Sequence, residues 1–271
     1  LRLNKPKAVA VDGGGNIYIA DTNNSRVLKL SATGYILLEL GRKEISGKGE
    51  AQFKNGNALG EFNKPSGLAL DPSGDIYVSD TNNHRVQKFG PDGSFILAFT
   101  LPPAPDEPGE EEEEDEELAK PELGEPVGIA LDGAGNIYVA DKEGDRALKY
   151  SPEGTLLFTF GAKGVGRGQL EEPHGIAVDP EGDCILVADS ENHRVQKYDR
   201  FGNVSLVFGK KKEEIAPGNE LVLLHKPTGL FLDNFGNLYA ADRNEDRSQK
   251  FGLPTGEPTL IASGAAPGAA A

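Results

Sequence analysis

One motif recurs five times along the chain and limits what the chain can fold into. Each copy follows the pattern P-x-G-h-A-h-D-x-x-G-N-h-Y-h-A-D-x-x-N-x-R-V-x-K, where h is an apolar residue. The copies are 47 to 61 residues apart and begin at Pro6, Pro65, Pro126, Pro173 and Pro227. A constant internal order at such a period indicates one supersecondary unit that is used repeatedly.

Each copy contains four short apolar runs that predict four β-strands. In the third copy these runs are 128–131, 136–140, 146–150 and 155–160. The segments between them are rich in Gly, Asn, Asp and Pro, the usual signal of hairpin turns. The first two runs do not alternate cleanly, as expected of strands that are covered on both faces. Sheets repeated around an axis provide that cover, so we predict an all-β propeller with five four-stranded blades.

The repeats account for nearly the whole chain, so we predict a single propeller domain over residues 1–271. The five blades are expected at approximately 5–41, 64–100, 125–161, 172–209 and 226–264. Residues 101–123 form an acidic insertion between two blades, and residues 265–271 form an Ala/Gly/Pro tail.

The motif resembles that of the NHL-repeat proteins. The second copy carries it most clearly, in 65–71 (PSGLALD), 75–80 (DIYVSD) and 83–89 (NHRVQKF), and residues 173–198 carry it nearly as well. The resemblance implies four-stranded, NHL-type blades around a central channel, usually six of them, whereas five units are counted here. It also implies the roles of that family, whose members serve as protein-interaction platforms, RNA-binding modules and, in one branch, metal-dependent lyases.

The charge of the chain disfavours two classes of partner. The net charge is −15 and the sequence pI is about 4.8, and the basic clusters are small. Nucleic-acid binding needs a basic patch that neutralises phosphates, so we predict no nucleic-acid partner. An acidic protein is also a poor ligand for anionic lipid, and no apolar run approaches the roughly 18 residues of a membrane span, so we predict no membrane partner.

Five charged pairs look like catalytic machinery but recur in every blade. An arginine follows the second aspartate of each motif by five residues, which gives Asp21/Arg26, Asp80/Arg85, Asp141/Arg146, Asp189/Arg194 and Asp242/Arg247. A catalytic residue is needed once, so we predict that these pairs are structural. Asp80 is expected to accept hydrogen bonds from the amides of its own turn, 81–84, and Arg85 to bind a carboxylate. The residue three places after each aspartate is expected to adopt a positive φ.

One histidine is a candidate for a metal ligand in the channel. His174 occupies the x of P-x-G at the start of an inner strand, where the other copies have Lys7, Ser66, Val127 and Thr228. The resemblance implies that the lyases of the family bind their metal with histidines near this position. A zinc site needs three or four ligands, so we predict no metal site, no cofactor and no catalytic residue. His84 and His193 are expected to be exposed in turns.

The longest insertion packs ten acidic residues into positions 106–117. Such a run repels itself and is expected to be extended and solvated. Carboxylates such as Glu111, Glu113 and Asp115 are hard ligands suited to Ca²⁺. The run lacks the Gly and Asn spacing of a calcium loop, so diffuse Ca²⁺ binding is expected rather than a defined site. The alternative is an acidic contact surface for a basic partner.

These observations favour a non-enzymatic propeller that acts as a protein-interaction or structural module. The fifth copy is degenerate, with Ser248 where Val recurs, which predicts that its face meets another copy of the chain in an oligomer or filament. The chain lacks methionine, which fits either a removed leader and an extracellular or secreted location, or an excerpt of a longer chain. The alternative is a channel-ligand-binding or lyase-like propeller enzyme. A signalling adaptor within a larger chain is a third class.

Overall fold

The computed structural model describes residues 1–45, 51–103, 123–209 and 223–253, and the backbone of 259–265. Within these ranges the chain is all-β and forms five antiparallel four-stranded blades in a propeller arrangement, as the repeats predicted. Each blade uses four strands that are consecutive in the chain. No helix in this part of the chain is long and apolar enough to cross a membrane.

The first two blades are joined by an additional hairpin. The strands of blade 1 are β1 (Ala8–Val11), β2 (Ile17–Asp21), β3 (Arg26–Leu30) and β4 (Ile36–Leu40). The connecting hairpin consists of β5 (Arg42–Ile45) and β6 (Ala51–Lys54). The strands of blade 2 are β7 (Pro65–Leu70), β8 (Ile76–Asp80), β9 (Arg85–Phe89) and β10 (Phe95–Thr100).

The remaining blades repeat this order from the inner strand to the outer one. Blade 3 consists of β11 (Pro126–Leu131), β12 (Ile137–Asp141), β13 (Arg146–Tyr150) and β14 (Leu156–Phe160). Blade 4 consists of β15 (Pro173–Val178), β16 (Ile185–Asp189), β17 (Arg194–Tyr198) and β18 (Val204–Phe208). Blade 5 consists of β19 (Pro227–Leu232), β20 (Asn237–Asp242), β21 (Arg247–Gly252) and β22 (Thr259–Ala265).

The first aspartate of each motif closes the hairpin between the two inner strands. In blade 3, Asp132 Oδ1 accepts hydrogen bonds from the amides of Ala134 at 3.0 Å and Asn136 at 2.9 Å. Its Oδ2 accepts the hydroxyl of Tyr138 at 3.1 Å, and Lys149 lies 5.0 Å from the centroid of that ring. The recurring Asp, Tyr and Lys of the motif therefore form one local cluster that fixes the turn and the next strand.

The second aspartate joins its blade to the segment that leads into it. Asp80 is fully buried and accepts the amide of Asn63 at 2.7 Å, the side-chain amide of Asn83 at 2.8 Å and Nε of Arg85 at 2.8 Å. Arg85 also donates to the carbonyl of Ala58 at 2.8 Å. Asp80 and Arg85 thus bind the turn after the second strand to the segment that precedes the first strand of the blade.

The same arrangement occurs in every blade. The aspartate–arginine distances are 2.6 to 3.4 Å for Asp21–Arg26, Asp80–Arg85, Asp141–Arg146, Asp189–Arg194 and Asp242–Arg247. The aspartates accept a lead-in amide at 2.7 to 2.8 Å, donated by Asn4, Asn63, Glu125, Glu171 and His225 in turn. We call this arrangement the aspartate–arginine clasp.

Two details differ from the sequence-based expectation. Asp80 accepts no amide of its own turn among the described contacts, because its oxygens are already used by the lead-in amide and by side chains. Within the described ranges, only Asp141 accepts such an amide, from Gly144, whose lack of a side chain leaves the site open. The positive φ lies four residues after each aspartate, one later than predicted, at Ser25, His84, Asp145, His193 and Asp246.

The blades pack through their inner strands in chain order, from β1 to β7, β11, β15 and β19. A Cβ at Gly67 would collide with the carbonyl of Val127, and one at Gly128 with the carbonyl of His174, so these glycines permit close approach of neighbouring strands. Apolar side chains fill the rest of each interface, as in the cluster of Tyr138 and Ile176 between blades 3 and 4. No comparable contact joins β19 to β1 in the described ranges.

The clasp generates a stability prediction. Replacing Asp80 with Ala leaves Nε of the buried Arg85 and the amide of Asn63 without their carboxylate acceptor. We expect the free energy of unfolding, measured by urea denaturation, to fall by roughly 3 kcal/mol, the usual cost of breaking a buried charge pair. Glu143→Ala, which removes an exposed carboxylate, should change it by less than about 0.5 kcal/mol. Equal effects of the two substitutions would contradict the structural role of the clasp.

Candidate functional site

A pocket of about 330 Å³ lies where the inner strands begin, and all five blades contribute to its wall. The charged residues that line it are Lys7, Lys64, Glu125, Lys142, Glu172, Glu191, Lys226 and Arg243. Thr81, Asn82, Val127, His174, Ser190 and Thr228 complete the described wall. We call this cavity the axial pocket.

The register of the two inner strands explains why these residues meet. The motif's proline pairs with the second aspartate, as Pro65 does with Asp80. Residues beside the proline and residues after the aspartate therefore lie at the same end of the blade. The motif leaves these positions free to vary. The clasp aspartate of each blade lies next to them in the sequence. The sequence predicted only the x of P-x-G as a channel position. It did not predict the residue before the proline or the two residues after the aspartate, which also line the pocket.

Carboxylates neutralise two of the five cations in the axial pocket. Nζ of Lys142 lies 3.6 Å from Glu125 and 3.4 Å from Glu172, and that of Lys226 lies 2.6 Å from Glu191. Despite burial, the two neighbouring glutamates raise the pKa of Lys142 above its usual value.

The other three cations have no carboxylate partner in the described ranges. Lys7, Lys64 and Arg243 form no ion pair within 4.0 Å among these residues. Burial lowers the pKa of Lys7, and the charges of Lys64, Arg243 and Lys142 lower it further, against the attraction of Glu125. The axial pocket is therefore a local excess of positive charge in a protein whose net charge is −15.

His174 lies on the wall of the axial pocket and is held by its neighbour. Its Nδ1 lies 2.9 Å from the carbonyl oxygen of Glu172, which fixes the orientation of the ring. Burial lowers the pKa of the imidazole below its usual value, and the charges of Lys142 and Lys7 act in the same direction. The ring is thus neutral at pH 7.

The residues equivalent to His174 do not fit a zinc site. Lys7, Val127 and Thr228 also line the axial pocket, whereas Ser66 is buried and its hydroxyl lies 2.5 Å from that of Thr81. They add no second imidazole, and the surrounding cations repel a divalent metal. No cluster of three His, Cys, Asp or Glu side chains suited to a metal occurs in the described part of the chain.

The pocket hydroxyls serve as links between blades. Thr81 Oγ1 donates to the carbonyl of Pro126 at 2.8 Å, and Ser190 Oγ donates to that of Pro227 at 2.6 Å. Each hydroxyl thereby binds the first residue of the next inner strand. Neither hydroxyl is paired with a histidine, so no activated nucleophile is visible among these residues.

The two histidines predicted to be exposed and the candidate calcium ligands do not line the axial pocket in the described part of the chain. His193, expected to be exposed, is only 5% exposed because its ring packs 4.9 Å from that of His225. His84 is half-buried. The candidate calcium ligands Glu111, Glu113 and Asp115 and most of the tail lie outside the described residues.

Comparison with known proteins identifies NHL repeats in the chain. The sequence profile of the NHL repeat matches residues 3–30, 62–89 and 170–198. These ranges cover motif copies one, two and four. Each spans the first three strands of its blade together with the clasp and its lead-in donor. The chain is a β-propeller that contains NHL repeats.

The relatives of this NHL propeller include both lyases and proteins not named as enzymes. "Protein brain tumor" of Drosophila melanogaster is 32% identical over 56% of this chain, a match that spans 13% of that protein. The probable peptidyl-alpha-hydroxyglycine alpha-amidating lyase pgal-1 of Caenorhabditis elegans is 30% identical over 51% of this chain and is matched over 37% of its length. A streptogramin B lyase structure superposes with a TM-score of 0.64 at 16% identity, covering 98% of this chain and 70% of that one, and shows the shared fold.

The neutral state of His174 gives the NHL propeller a predicted pH dependence. We expect its imidazole to titrate below pH 6.5 in an NMR titration, because burial disfavours the charged ring. Since the folded-state pKa is depressed, the unfolded chain binds the proton more tightly. The free energy of unfolding should fall as the pH drops below 6.5, and less so in His174→Asn. His84→Asn is the control that keeps this dependence, and a midpoint at or above 6.5 for His174 would contradict the interpretation.

The composition of the axial pocket also predicts the metal content. Elemental analysis of the purified NHL propeller should find zinc well below one atom per chain, because one imidazole among cations cannot hold the ion tightly. Stoichiometric zinc that is lost in His174→Ala would show this prediction to be wrong.

Proposed function

We propose that this NHL propeller is a non-enzymatic interaction module whose axial pocket binds an acidic segment of a protein partner. The observation that carries the proposal is the set of three cations, Lys7, Lys64 and Arg243, that converge on one cavity without a carboxylate partner among the described residues. Converging like charges repel one another, so an incoming carboxylate relieves an existing electrostatic cost as well as forming new hydrogen bonds.

The dimensions and the surroundings of the pocket favour a peptide. A volume of about 330 Å³ is at the small end of ligand sites and admits one or two side chains rather than a folded domain. The three cations come from blades 1, 2 and 5, so they address a ligand from several sides. A nucleic acid would bring many phosphates toward a chain with a net charge of −15, whereas one or two carboxylates meet only the local positive field.

The second candidate is a lyase-like enzyme that uses the channel. It is favoured by the amidating lyases among the relatives and by the position of neutral His174 on the pocket wall. We place it second because neither a metal-binding set nor an activated nucleophile accompanies this histidine in the described residues. The zinc measurement above separates the two functions.

Binding of a labelled acidic peptide tests the proposed function. We expect a short peptide of alternating Glu and Gly to bind in a fluorescence anisotropy assay, and its Gln counterpart to bind much more weakly. Lys7→Gln, Lys64→Gln and Arg243→Gln should each weaken binding about fivefold, the effect of losing one charge-assisted contact of roughly 1 kcal/mol. The effect should shrink as salt is added, because exposed charges are screened.

Matched controls separate the axial pocket from general charge. Lys54→Gln removes one exposed cation outside the pocket and should leave affinity within about twofold. Competition with glutarate tests for a small-anion site, and competition with a single-stranded oligonucleotide of equal charge tests for a nucleic-acid site. Peptide affinity that does not change in all three pocket variants, or an oligonucleotide that binds more tightly than the peptide, would contradict the proposal.

Self-association of the chain and an extracellular location are further predictions of this proposal. An extracellular module that meets other copies of itself would present the axial pocket to acidic segments of neighbouring molecules. Light scattering of the native protein measures its mass against the 28.8 kDa of one chain, and fractionation of producing cells measures where it resides.

A further inference from the structure

The charged side chains of the axial pocket are separated by sign. Among the charged residues of the described wall, blades 1, 2 and 5 contribute cations alone, which are Lys7, Lys64, Lys226 and Arg243. All the glutamates of this wall belong to the neighbouring blades 3 and 4, and they are Glu125, Glu172 and Glu191. The pocket therefore has a cationic side, which receives the carboxylate in the proposed function, and a second side rich in hydrogen-bond acceptors. We call the second one the acceptor side.

The carboxylates of the acceptor side outnumber their partners. Nζ of Lys142 lies 3.4 Å from Glu172 and 3.6 Å from Glu125, both longer than the roughly 2.7–2.9 Å of a charge-assisted hydrogen bond. Glu191 is bound more closely, by Lys226 at 2.6 Å. Among the described residues, three carboxylates thus face two ammonium groups. This leaves one negative charge on the acceptor side, together with lone pairs that can accept further hydrogen bonds.

His174 adds a neutral acceptor to the same side. The carbonyl oxygen of Glu172 can only accept a hydrogen bond, so the Nδ1 that lies 2.9 Å from it carries the proton and donates. Because the ring is neutral, Nε2 then has a lone pair and accepts. This nitrogen has no hydrogen-bond partner within the ranges that the structure describes. The acceptor side therefore offers an imidazole nitrogen and carboxylates to a group that has several N–H donors.

The backbone positions these acceptors before a ligand arrives. Glu172 has a φ of +44°, in the left-handed region that residues with side chains rarely adopt, and it precedes a proline. Its amide donates to Asp145 of blade 3 at 2.7 Å, so the neighbouring blade holds this unfavourable conformation in place. The same residue supplies a carboxylate to the pocket and the carbonyl that orients His174. Both acceptors are thus fixed by the packing of blade 3 against blade 4.

The two sides are close enough to bind one small ligand. Burial lowers the pKa of Lys7, and the charge of Glu125 on the acceptor side opposes this shift. Burial also lowers the pKa of His174, and the charge of Lys7 on the cationic side adds to that effect. The volume of about 330 Å³ admits one or two residues of a peptide. A fitting ligand carries a carboxylate and a donating cation within that length.

We infer that the axial pocket binds the amino terminus of an acidic polypeptide segment, with its α-ammonium group on the acceptor side and its first acidic side chain on the cationic side. This inference rests on the proposed function and adds which end of the acidic segment enters the pocket. The carboxylate would meet Lys7, Lys64 and Arg243. The ammonium group would donate to Nε2 of His174 and to the carboxylate of Glu172.

An α-ammonium group fits the acceptor side better than a lysine side chain does. It provides three N–H donors directly on the backbone and is mostly protonated at pH 7, and nearby carboxylates favour its charged form. A lysine ammonium stands at the end of four methylene groups, which pack best along apolar surface. Val127 is the only apolar residue in the described wall, so the pocket has little surface for such a stem.

Acetylation of the peptide tests the inference. A peptide that begins with Glu, alternates Glu and Gly and is labelled at its carboxyl end is compared with its N-acetylated form by fluorescence anisotropy. We expect the free amino terminus to bind about tenfold more tightly, because acetylation removes a charge and its donors but leaves every carboxylate. In Glu172→Gln this difference should shrink to about twofold, since the two changes remove the same interaction. The carbonyl that orients His174 is kept in this variant.

Matched controls and competitors decide the outcome. Glu181→Gln removes an exposed carboxylate of the same blade outside the described wall and should keep the tenfold difference. Equal binding of the two peptides, or an undiminished difference in Glu172→Gln, would overturn the inference and leave the proposed function standing. Binding of neither peptide would contradict the proposed function itself.

Two further competitors identify other sources of an ammonium group. An acetylated peptide with Lys in its second position that binds as tightly as the free amino terminus would assign the acceptor side to a lysine side chain. Free L-glutamate that displaces the labelled peptide at a lower concentration than the unlabelled peptide does would assign the axial pocket to an amino acid. Either result would overturn the inference, and weak competition by both supports it.

Discussion

The aspartate–arginine clasp is the interaction on which the other parts of the propeller depend. Asp80 has no exposure to solvent, and burial raises its pKa although Asn63, Asn83 and Arg85 all donate to it. Such a charge is tolerated in the interior only while every partner is in place. Because one partner is an amide of the lead-in segment, the clasp fixes how the chain enters each blade. That entry path in turn places the inner strand against its neighbour and places the variable residues of the axial pocket.

The repeat allowed the fold to be predicted because its signals are local. Period, turn residues and the two aspartates recur within each copy, so the strands and the charged pairs could be read from residues such as Asp80 and Arg85 alone. The lead-in partner of Asp80 could not be predicted, because Asn63 lies before the motif and no recurring residue marks it as a donor. The predicted position of the positive φ was wrong by one residue. Asn and Gly are enriched three residues after the second aspartate, whereas the positive φ occurs four residues after it.

The candidate site was predicted only in part, for a related reason. His174 was recognised because a lone histidine stands out at a position where the other copies differ. The convergence of Lys7, Lys64 and Arg243 is a property of the ring, since the three residues come from different blades and are separated by up to 236 positions in the chain. The strongly acidic composition of the whole chain also gives no indication of a local cluster of positive charge. Neither period nor composition records which variable positions meet at the axis.

The residue that follows the clasp aspartate contributes both to the packing between blades and to the wall of the axial pocket. Thr22, Thr81 and Ser190 use this position to bind the next blade, whereas Lys142 and Arg243 occupy it with a charge that lines the axial pocket. Blades 3 and 5 thus carry a charge in the cavity where the other three blades have a hydroxyl that binds the next blade. A scaffold of this kind can diverge in specificity blade by blade, by substitutions that leave the clasp and the apolar interfaces untouched.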